Sequence, residues 1–373
     1  MTLSPSIGAA QRIVVKIGSA LVVDEKQATP RSVWLDSVAA DIQMLRERGT
    51  DVIVVSSGAI ALARRTLGLT QKRLKLEEKQ AAAAVGQIRL AQAWSQALSA
   101  RDLTAAQLLL TLGDTEDRRR YLNARETLNT LLALRCIPVI NENDTVATTE
   151  IRFGDNDRLA ARVAEMVQAD QLILLSDIDG LYTADPRRDP GATHIPVVEA
   201  LTPEIEAMGG EPPPGYSSGG MRTKLVAARI ATQAGCAMAI AIGNVERPLL
   251  ALENGARCTW FLPAPEGRSS RKRWIGGSLS PQGVLTVDAG AAKALAGGRS
   301  LLPAGVRAVD GVFERGDPVT VVGPDGAILA RGLSAYASVD AERIAGHRSD
   351  KIEAILGWRG RDEMIHRDDL VLG

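Results

Sequence analysis

The residues with chemistry to offer stand where apolar runs break off. Val15-Lys16-Ile17-Gly18-Ser19 ends one such run. A lysine there is either a surface cation whose stem lies on apolar neighbours or a phosphate contact flanked by backbone amides. Ser56-Ser57-Gly58-Ala59-Ile60 follows VIVV. Hydroxyl, glycine and amides at a helix start suit a bound carboxylate or phosphate, and they suit a plain N-cap serine equally well. After IPVI come Asn141-Glu142-Asn143-Asp144-Thr145 and then Gly154-Asp155-Asn156-Asp157. Two acidic, amide-bearing loops exceed what a turn needs; such loops can grip an ammonium group, orient lysines or offer oxygens to magnesium. LILL runs into Ser176-Asp177-Ile178-Asp179-Gly180, and Gly215-Tyr216-Ser217-Ser218-Gly219-Gly220-Met221-Arg222-Thr223-Lys224 opens an amphipathic stretch. That last segment reads as a phosphate cradle or as a capped surface loop, since both share this composition.

Other chemistries are disfavoured. No two glycines stand two residues apart, so GxGxxG does not occur, and neither does GxxxxGK. His194, His347 and His366 have no spacing suited to a metal site or a catalytic triad, and Cys136, Cys236 and Cys258 form no CxxC pair. Each cysteine sits beside an apolar run, as a small core residue would. No residue is assigned as a metal ligand.

Something must hold these loops together, and the patterning says what. Runs rich in β-branched residues near 12–17, 51–56, 104–109, 137–141, 171–176, 236–242 and 257–262 predict strands. Helices are expected near 31–48, 58–67, 77–100, 118–134, 157–168 and 219–234, and Val146 to Phe153 alternates like a hairpin arm. The fold class is therefore α/β, an open, mostly parallel sheet sandwiched by helices, with ligands expected outside the carboxyl ends of the strands. From PAPEGRSSRKR at 263–273 the texture changes to short strands and turn dipeptides, with one short helix around 340–346. This predicts an α/β domain over 1–262, a linker at 263–273 and a small β-rich domain over 274–373.

Composition agrees. The 373 residues are 45% hydrophobic and 24% charged, which suits a folded chain of two domains. Five Trp, four Tyr and three Phe leave the core to aliphatic residues. Lys plus Arg and Asp plus Glu both number 44, so there is no global attraction to nucleic acid or anionic membrane. Residues 274–373 carry 11 basic and 13 acidic side chains, which argues against RNA as a partner. The first residues do not resemble a signal peptide and no run of apolar residues is long enough to span a bilayer, so the expected location is cytoplasmic.

Taken in order, VVKIGSA, VVSSGAIA, AAVGQ, PVINENDTVAT, FGDNDRLAA, SDIDGLYTADPR, SSGGMRTKLVAA and RKRWIGG resemble the bacterial glutamate 5-kinases, over essentially the whole chain. That family joins an amino-acid-kinase domain to a C-terminal PUA domain. The resemblance implies ATP-dependent phosphorylation of the γ-carboxylate of L-glutamate to L-glutamyl 5-phosphate, the first step of proline biosynthesis. It implies catalytic roles for Lys16, Lys224 and Asp157, with Asp157 orienting the two lysines. Ser57, Asp144 and Asn156 would bind glutamate. Lys16, Ser176, Asp177 and the loop Ser218, Gly219, Gly220, Met221, Arg222, Thr223 and Lys224 would bind ATP, with Mg2+ on the nucleotide. Where relatives have threonine, this chain has Ser56, Ser176 and Ser218; the hydroxyl is kept. A homo-oligomer (dimer or tetramer), feedback inhibition by proline and a glutamyl-phosphate reductase as partner are further implications. The competing readings are a kinase of another small acid, of carbamate or of a nucleotide, and an RNA-binding or regulatory protein built on the same scaffold.

Overall fold

The run RIVVKI forms β1 (Arg12–Ile17), in which every residue after Arg12 is buried. Burial on both faces is what a continuous β-branched run predicts for a central parallel strand. The structure is a computed structural model, and it describes residues 5–24, 26–69, 71, 74–146, 155–210, 220–264 and 281–372. Two compact units divide the chain, Met1–Gly267 and Arg268–Gly373.

In the first unit β1 is followed by α1 (Ser19–Val22), the hairpin β2 (Val23–Asp24) and β3 (Thr29–Pro30), α2 (Ser32–Glu47) and β4 (Asp51–Ser56). Next come α3 (Ala59–Arg64), α4 (Leu76–Ser99), β5 (Ala105–Leu110), α5 (Leu112–Glu116), α6 (Arg118–Ala133) and β6 (Ile137–Glu142). The chain continues through α7 (Asp155–Met166), β7 (Gln171–Ser176), the hairpin β8 (Leu181–Tyr182) and β9 (His194–Ile195), and β10 (Val197–Val198). It ends with α8 (Pro203–Ala207), α9 (Met221–Gln233), β11 (Ala237–Ile242), α10 (Pro248–Glu253) and β12 (Cys258–Phe261). Eight strands form one sheet in the order β10-β12-β11-β7-β1-β4-β6-β5. All neighbours run parallel except β11 and β12.

Alternation along the central strands divides the core in two. Ile13, Val15 and Ile17 of β1 with Val52 and Val54 of β4 pack beside Trp34, Leu35 and Val38 of α2 and Leu90 and Trp94 of α4. Val14, Ile53 and Val55 face the other way, with Leu128 of α6, Leu159 and Val163 of α7 and Leu225 and Ala228 of α9. The sheet is thus sandwiched by helices, as the patterning predicts. A fully buried aliphatic side chain contributes about 1.5–3 kcal/mol, so these two aliphatic layers anchor the sheet without many aromatics.

The second unit is a five-stranded sheet of order β14-β13-β15-β16-β17, made of β13 (Gly283–Val287), β14 (Val306–Gly311), β15 (Pro318–Val322), β16 (Ile328–Leu333) and β17 (Leu370–Leu372). Its core includes Leu285, Val319, Tyr336 and Ile365. The sequence predicts one short helix here, and the described residues of the unit hold three: α11 (Ala289–Ala296), α12 (Ser338–Ile344) and α13 (Ile352–Leu356). The first of these has a readable cause. Asp288 accepts a hydrogen bond from the Ala291 amide at 2.8 Å, and the alanine-rich run then extends to Gly297. The Gly297-Gly298 pair, read as a turn between strands, ends this helix, with Gly298 at φ +75°.

The three cysteines are free; Cys236 is buried, Cys258 is half-buried and packs against the core, and Cys136 is partly exposed rather than a core residue. Among the described residues no helix is long and apolar enough to cross a membrane. The expected hairpin arm at 146–153, apart from Val146, and most of the linker at 263–273 lie outside the described residues.

Candidate active site

Because β1, β4, β6 and β7 are parallel neighbours, their carboxyl ends open on one edge of the sheet. The described residues of the polar segments singled out in the sequence lie toward that edge. Lys16 is the penultimate residue of β1, Ser57 directly follows β4, Asp144 lies in the turn after β6, and Ser176 closes β7. The Ser57 amide donates to the Ile17 carbonyl at 3.1 Å, which locks the two central loops together. Two helix starts come over the same edge. Asp157 sits in the first turn of α7, and Thr223 and Lys224 sit at the start of α9. The two helices pack on one face of the sheet through Leu159, Ala160, Leu225 and Ala228.

Asp157 is the centre of the constellation. Its Oδ1 lies 2.5 Å from Lys16 Nζ, and its Oδ2 lies 3.2 Å from Lys224 Nζ. Thr223 donates its hydroxyl to the same Oδ2 at 2.9 Å. All three ionic groups are buried, at 7%, 1% and 9% exposure for Lys16, Asp157 and Lys224. Removing such charges from water costs several kcal/mol per ion unless each finds an opposite charge. Here a single carboxylate serves two ammoniums. Burial by itself would raise the Asp157 pKa, but the charges of Lys16 and Lys224 prevail and hold the carboxyl well below the usual range. Lys16 is lowered, first by burial and then further by Lys224, although Asp157 opposes the shift. Two ammonium groups and one carboxylate leave a net charge of plus one, which favours a bound anion.

The second group is neutral. Asn156, next to Asp157, donates its amide to Ser57 Oγ at 2.8 Å. Asn141, at 3% exposure near the end of β6, donates to Gln87 Oε1 of α4 at 2.8 Å. Ser56, fully buried, accepts a hydrogen bond from the Trp94 indole at 2.9 Å. Asp144 is buried at 8% exposure beside these loops.

Sequence reasoning named most of these residues, and the structure sorts them. Lys16, Asp157, Thr223 and Lys224 meet at one point, and Ser57 meets Asn156. Among the described residues Asp177 forms no ion pair or hydrogen bond with either cluster, although its charge reaches Lys16. It accepts a hydrogen bond from Ser176 Oγ at 3.2 Å and forms an exposed ion pair with Arg187 at 2.9 Å, outside the buried centre. Burial raises its pKa, and hydrogen bonding and charge from Arg187 outweigh that and lower it. Gly220 and Arg222 are exposed, Met221 packs against the core, and Ser218 and Gly219 lie outside the described residues. Gln87, Trp94 and Arg187 were assigned no role from sequence. Gln87 had a signal, since it lies in the AAVGQ segment; Trp94 in an alanine-rich helix looks like any core residue.

Residues 11–243 match the amino acid kinase family, and residues 283–356 match the PUA domain. The glutamate 5-kinase of Gluconobacter oxydans is 65% identical over 369 residues, which cover 99% of this chain and 98% of that one. The glutamate 5-kinase of Paramagnetospirillum magneticum is 64% identical over 370 residues, covering 99% of this chain and 100% of the other. That of Rhizobium etli is 60% identical over 372 residues, covering 100% and 95%. The first unit has the sheet and the second the strand-rich fold that these matches call for, and the chain belongs to the amino acid kinase family, among its glutamate 5-kinases.

Proposed function

We propose that this chain transfers the γ-phosphoryl group of ATP to the γ-carboxylate of L-glutamate, giving L-glutamyl 5-phosphate and ADP, the first step of L-proline biosynthesis. The observation that carries the reading is the buried Lys16–Asp157–Lys224 constellation. A carboxylate nucleophile is ionised at neutral pH, so no general base is required. The obstacle is to bring one anion against another, and phosphoryl transfer depends on positioning and on cations around the transferred oxygens. Lys16 and Lys224 supply those cations, and Asp157 fixes where they point. Thr223 holds the carboxylate from the α9 side.

In this reading Ser57, Asp144 and Asn156 receive glutamate, Asp144 matching the ammonium group and Ser57 with its neighbouring amides an anionic end. Lys16, Ser176, Asp177 and the segment from Ser218 to Lys224 receive ATP. Mg2+ would travel with the nucleotide phosphates, which is how this ion is ordinarily bound. The kinase domain is assigned to 1–262 and the PUA-like domain to 274–373, joined by 263–273. A homo-oligomer, proline as feedback inhibitor, a reductase that accepts the labile acyl phosphate and a cytoplasmic location complete the proposal.

The test is ADP release with glutamate, aspartate, N-acetylglutamate, carbamate and UMP as acceptors, together with hydroxamate trapping of the acyl phosphate. Glutamate-dependent turnover with hydroxamate formation is expected. Preference for another acceptor would replace the substrate, and absence of turnover with all of them would overturn the reading.

A further inference from the structure

The segment AAVGQ in α4 is unused by the chemistry above, although α4 touches both loops assigned to glutamate. Three contacts leave this one helix. A Cβ built on Gly86 would fall 1.7 Å from the Ala59 carbonyl oxygen, so only glycine lets α4 lie against the start of α3, two residues beyond Ser57. The next residue, Gln87, accepts the Asn141 amide at 2.8 Å, three residues before Asp144. One helical face further along, Trp94 donates its indole N–H to Ser56 at 2.9 Å, and Ser56 in turn donates to the Ser57 carbonyl at 3.2 Å. Asn141, Ser56, Ala59 and Trp94 are all buried and Gln87 is half-buried, so breaking one of these hydrogen bonds leaves a buried polar group short of a partner.

We propose that α4 is the positioning element of the amino-acid subsite: Gly86 and Gln87, with Trp94, set the distance between the Ser57 loop and the Asn141–Asp144 loop, and thereby the affinity for glutamate. None of the three touches the lysine cluster. Ser57 and Asp144 come from different strands, β4 and β6, which pair only through Val54 with Val139 and Val55 with Ile140. Beyond that short ladder, α4 contacts both loops, through Gly86 against Ala59 and through Gln87 with Asn141. The inference rests on the kinase reading and adds to it a claim about which residues hold the acceptor's subsite.

Gln87 gives the cleanest test, because a cavity of about 140 Å³ borders Gln87 and Asn141 and leaves room for a side chain of similar size. Gln87→Leu removes the acceptor, and Gln87→Glu keeps an oxygen acceptor. In steady-state assays of the full chain, Gln87→Leu is expected to raise the KM for glutamate about tenfold, the scale of one lost buried hydrogen bond, with the KM for ATP within about twofold of wild type. Gln87→Glu is expected to recover most of the glutamate affinity. Gly86→Ala is expected to raise the glutamate KM further, and its circular dichroism spectrum shows whether it has folded. An unchanged glutamate KM in Gln87→Leu, an equal rise in both KM values, or failure of Gln87→Glu to recover affinity overturns the positioning role while leaving the kinase reading standing. A wild-type chain without glutamate-dependent turnover overturns the kinase reading, and this inference with it.

Discussion

Two halves of one sheet edge are built from different materials. The half formed by Lys16, Asp157 and Lys224 consists of ions taken out of water, and the half formed by Ser57, Asn156, Asn141 and Gln87 consists of neutral hydroxyls and amides. The distances hardly differ; burial and charge do. In the ionic half every group depends on its counter-charge, because an uncompensated buried ion costs several kcal/mol. In the neutral half a lost hydrogen bond costs about 0.5–1.5 kcal/mol net. The division suits the two tasks in the proposed reaction. Stabilising a phosphoryl group in flight needs charge, whereas recognising a small amino acid needs donors and acceptors held at fixed spacing.

Asp157→Asn strikes the contrast at its strongest point. It leaves two buried ammoniums facing each other across a neutral amide, and breaking a buried ion pair costs about 3–5 kcal/mol. Thermal unfolding is expected to show a midpoint lower by several degrees, and turnover is expected to collapse. The wild-type acid limb follows from the same group. The Asp157 pKa is depressed below its ordinary value of 3.8, so its contribution to stability is present above that pH and is lost as pH falls toward the depressed value. Below about pH 4 the wild type should therefore lose thermal stability more steeply than Asp157→Asn. Parallel acid limbs in the two proteins would show that the carboxylate is not the group that matters.

Lys224→Ala comes next. Removing one preorganised cation from a transferring group costs about 2.7–4 kcal/mol, or 10²–10³ in turnover, by analogy with loss of one oxyanion donor. The KM for ATP is expected to rise less than turnover falls. Turnover within a few-fold of wild type would move the chemistry away from this cluster.

Asp144→Asn tests the boundary between the halves, since Asp144 is the acidic residue on the amino-acid side. A charged hydrogen bond is worth about 1.5–3 kcal/mol, so the glutamate KM is expected to rise roughly ten- to a hundredfold while maximal turnover changes little. Unchanged affinity for glutamate would assign its ammonium group to another carboxylate.

How much of this was legible in the sequence follows the same division. The strands at 12–17, 51–56 and 171–176 were readable because continuous apolar runs are what a doubly covered strand requires, and their ends pointed to Lys16, Ser57 and Ser176. The meeting of Lys16 with Asp157 and Lys224 was not readable from spacing. It depends on the strand order β7-β1-β4-β6 and on two helix starts arriving at one point, neither of which local periodicity encodes; the family resemblance supplied it. Gln87 and Trp94 were less accessible still. An amide and an indole within an alanine-rich helix have no local sign of the partners that tertiary packing brings, Asn141 and Ser56. The alanine-rich helix at 289–296 was missed for a different reason, because the Gly297-Gly298 pair that ends it also fits a turn between strands.

The smallest effect belongs to a pair that looks like the catalytic one on paper. Arg187 and Asp177 lie 2.9 Å apart at the same sheet edge, but their side chains are 66% and 68% exposed, against 9% and 2% for Lys16 and Asp157. Water already solvates both ions, so their attraction is screened and the ordering of two side chains offsets much of what remains. Exposed pairs of this kind contribute about 0–1 kcal/mol. Arg187→Ala is therefore expected to shift the unfolding midpoint by about 1–2 °C at most and to leave glutamate affinity unchanged. Any effect on the KM for ATP would come through Asp177, which loses its partner and becomes a free negative charge beside the proposed nucleotide site. The variant should show that effect most clearly at low ionic strength and lose it as salt is added. A shift in stability as large as that of Asp157→Asn would break the rule that burial, and not geometry alone, separates the ion pairs of this sheet edge.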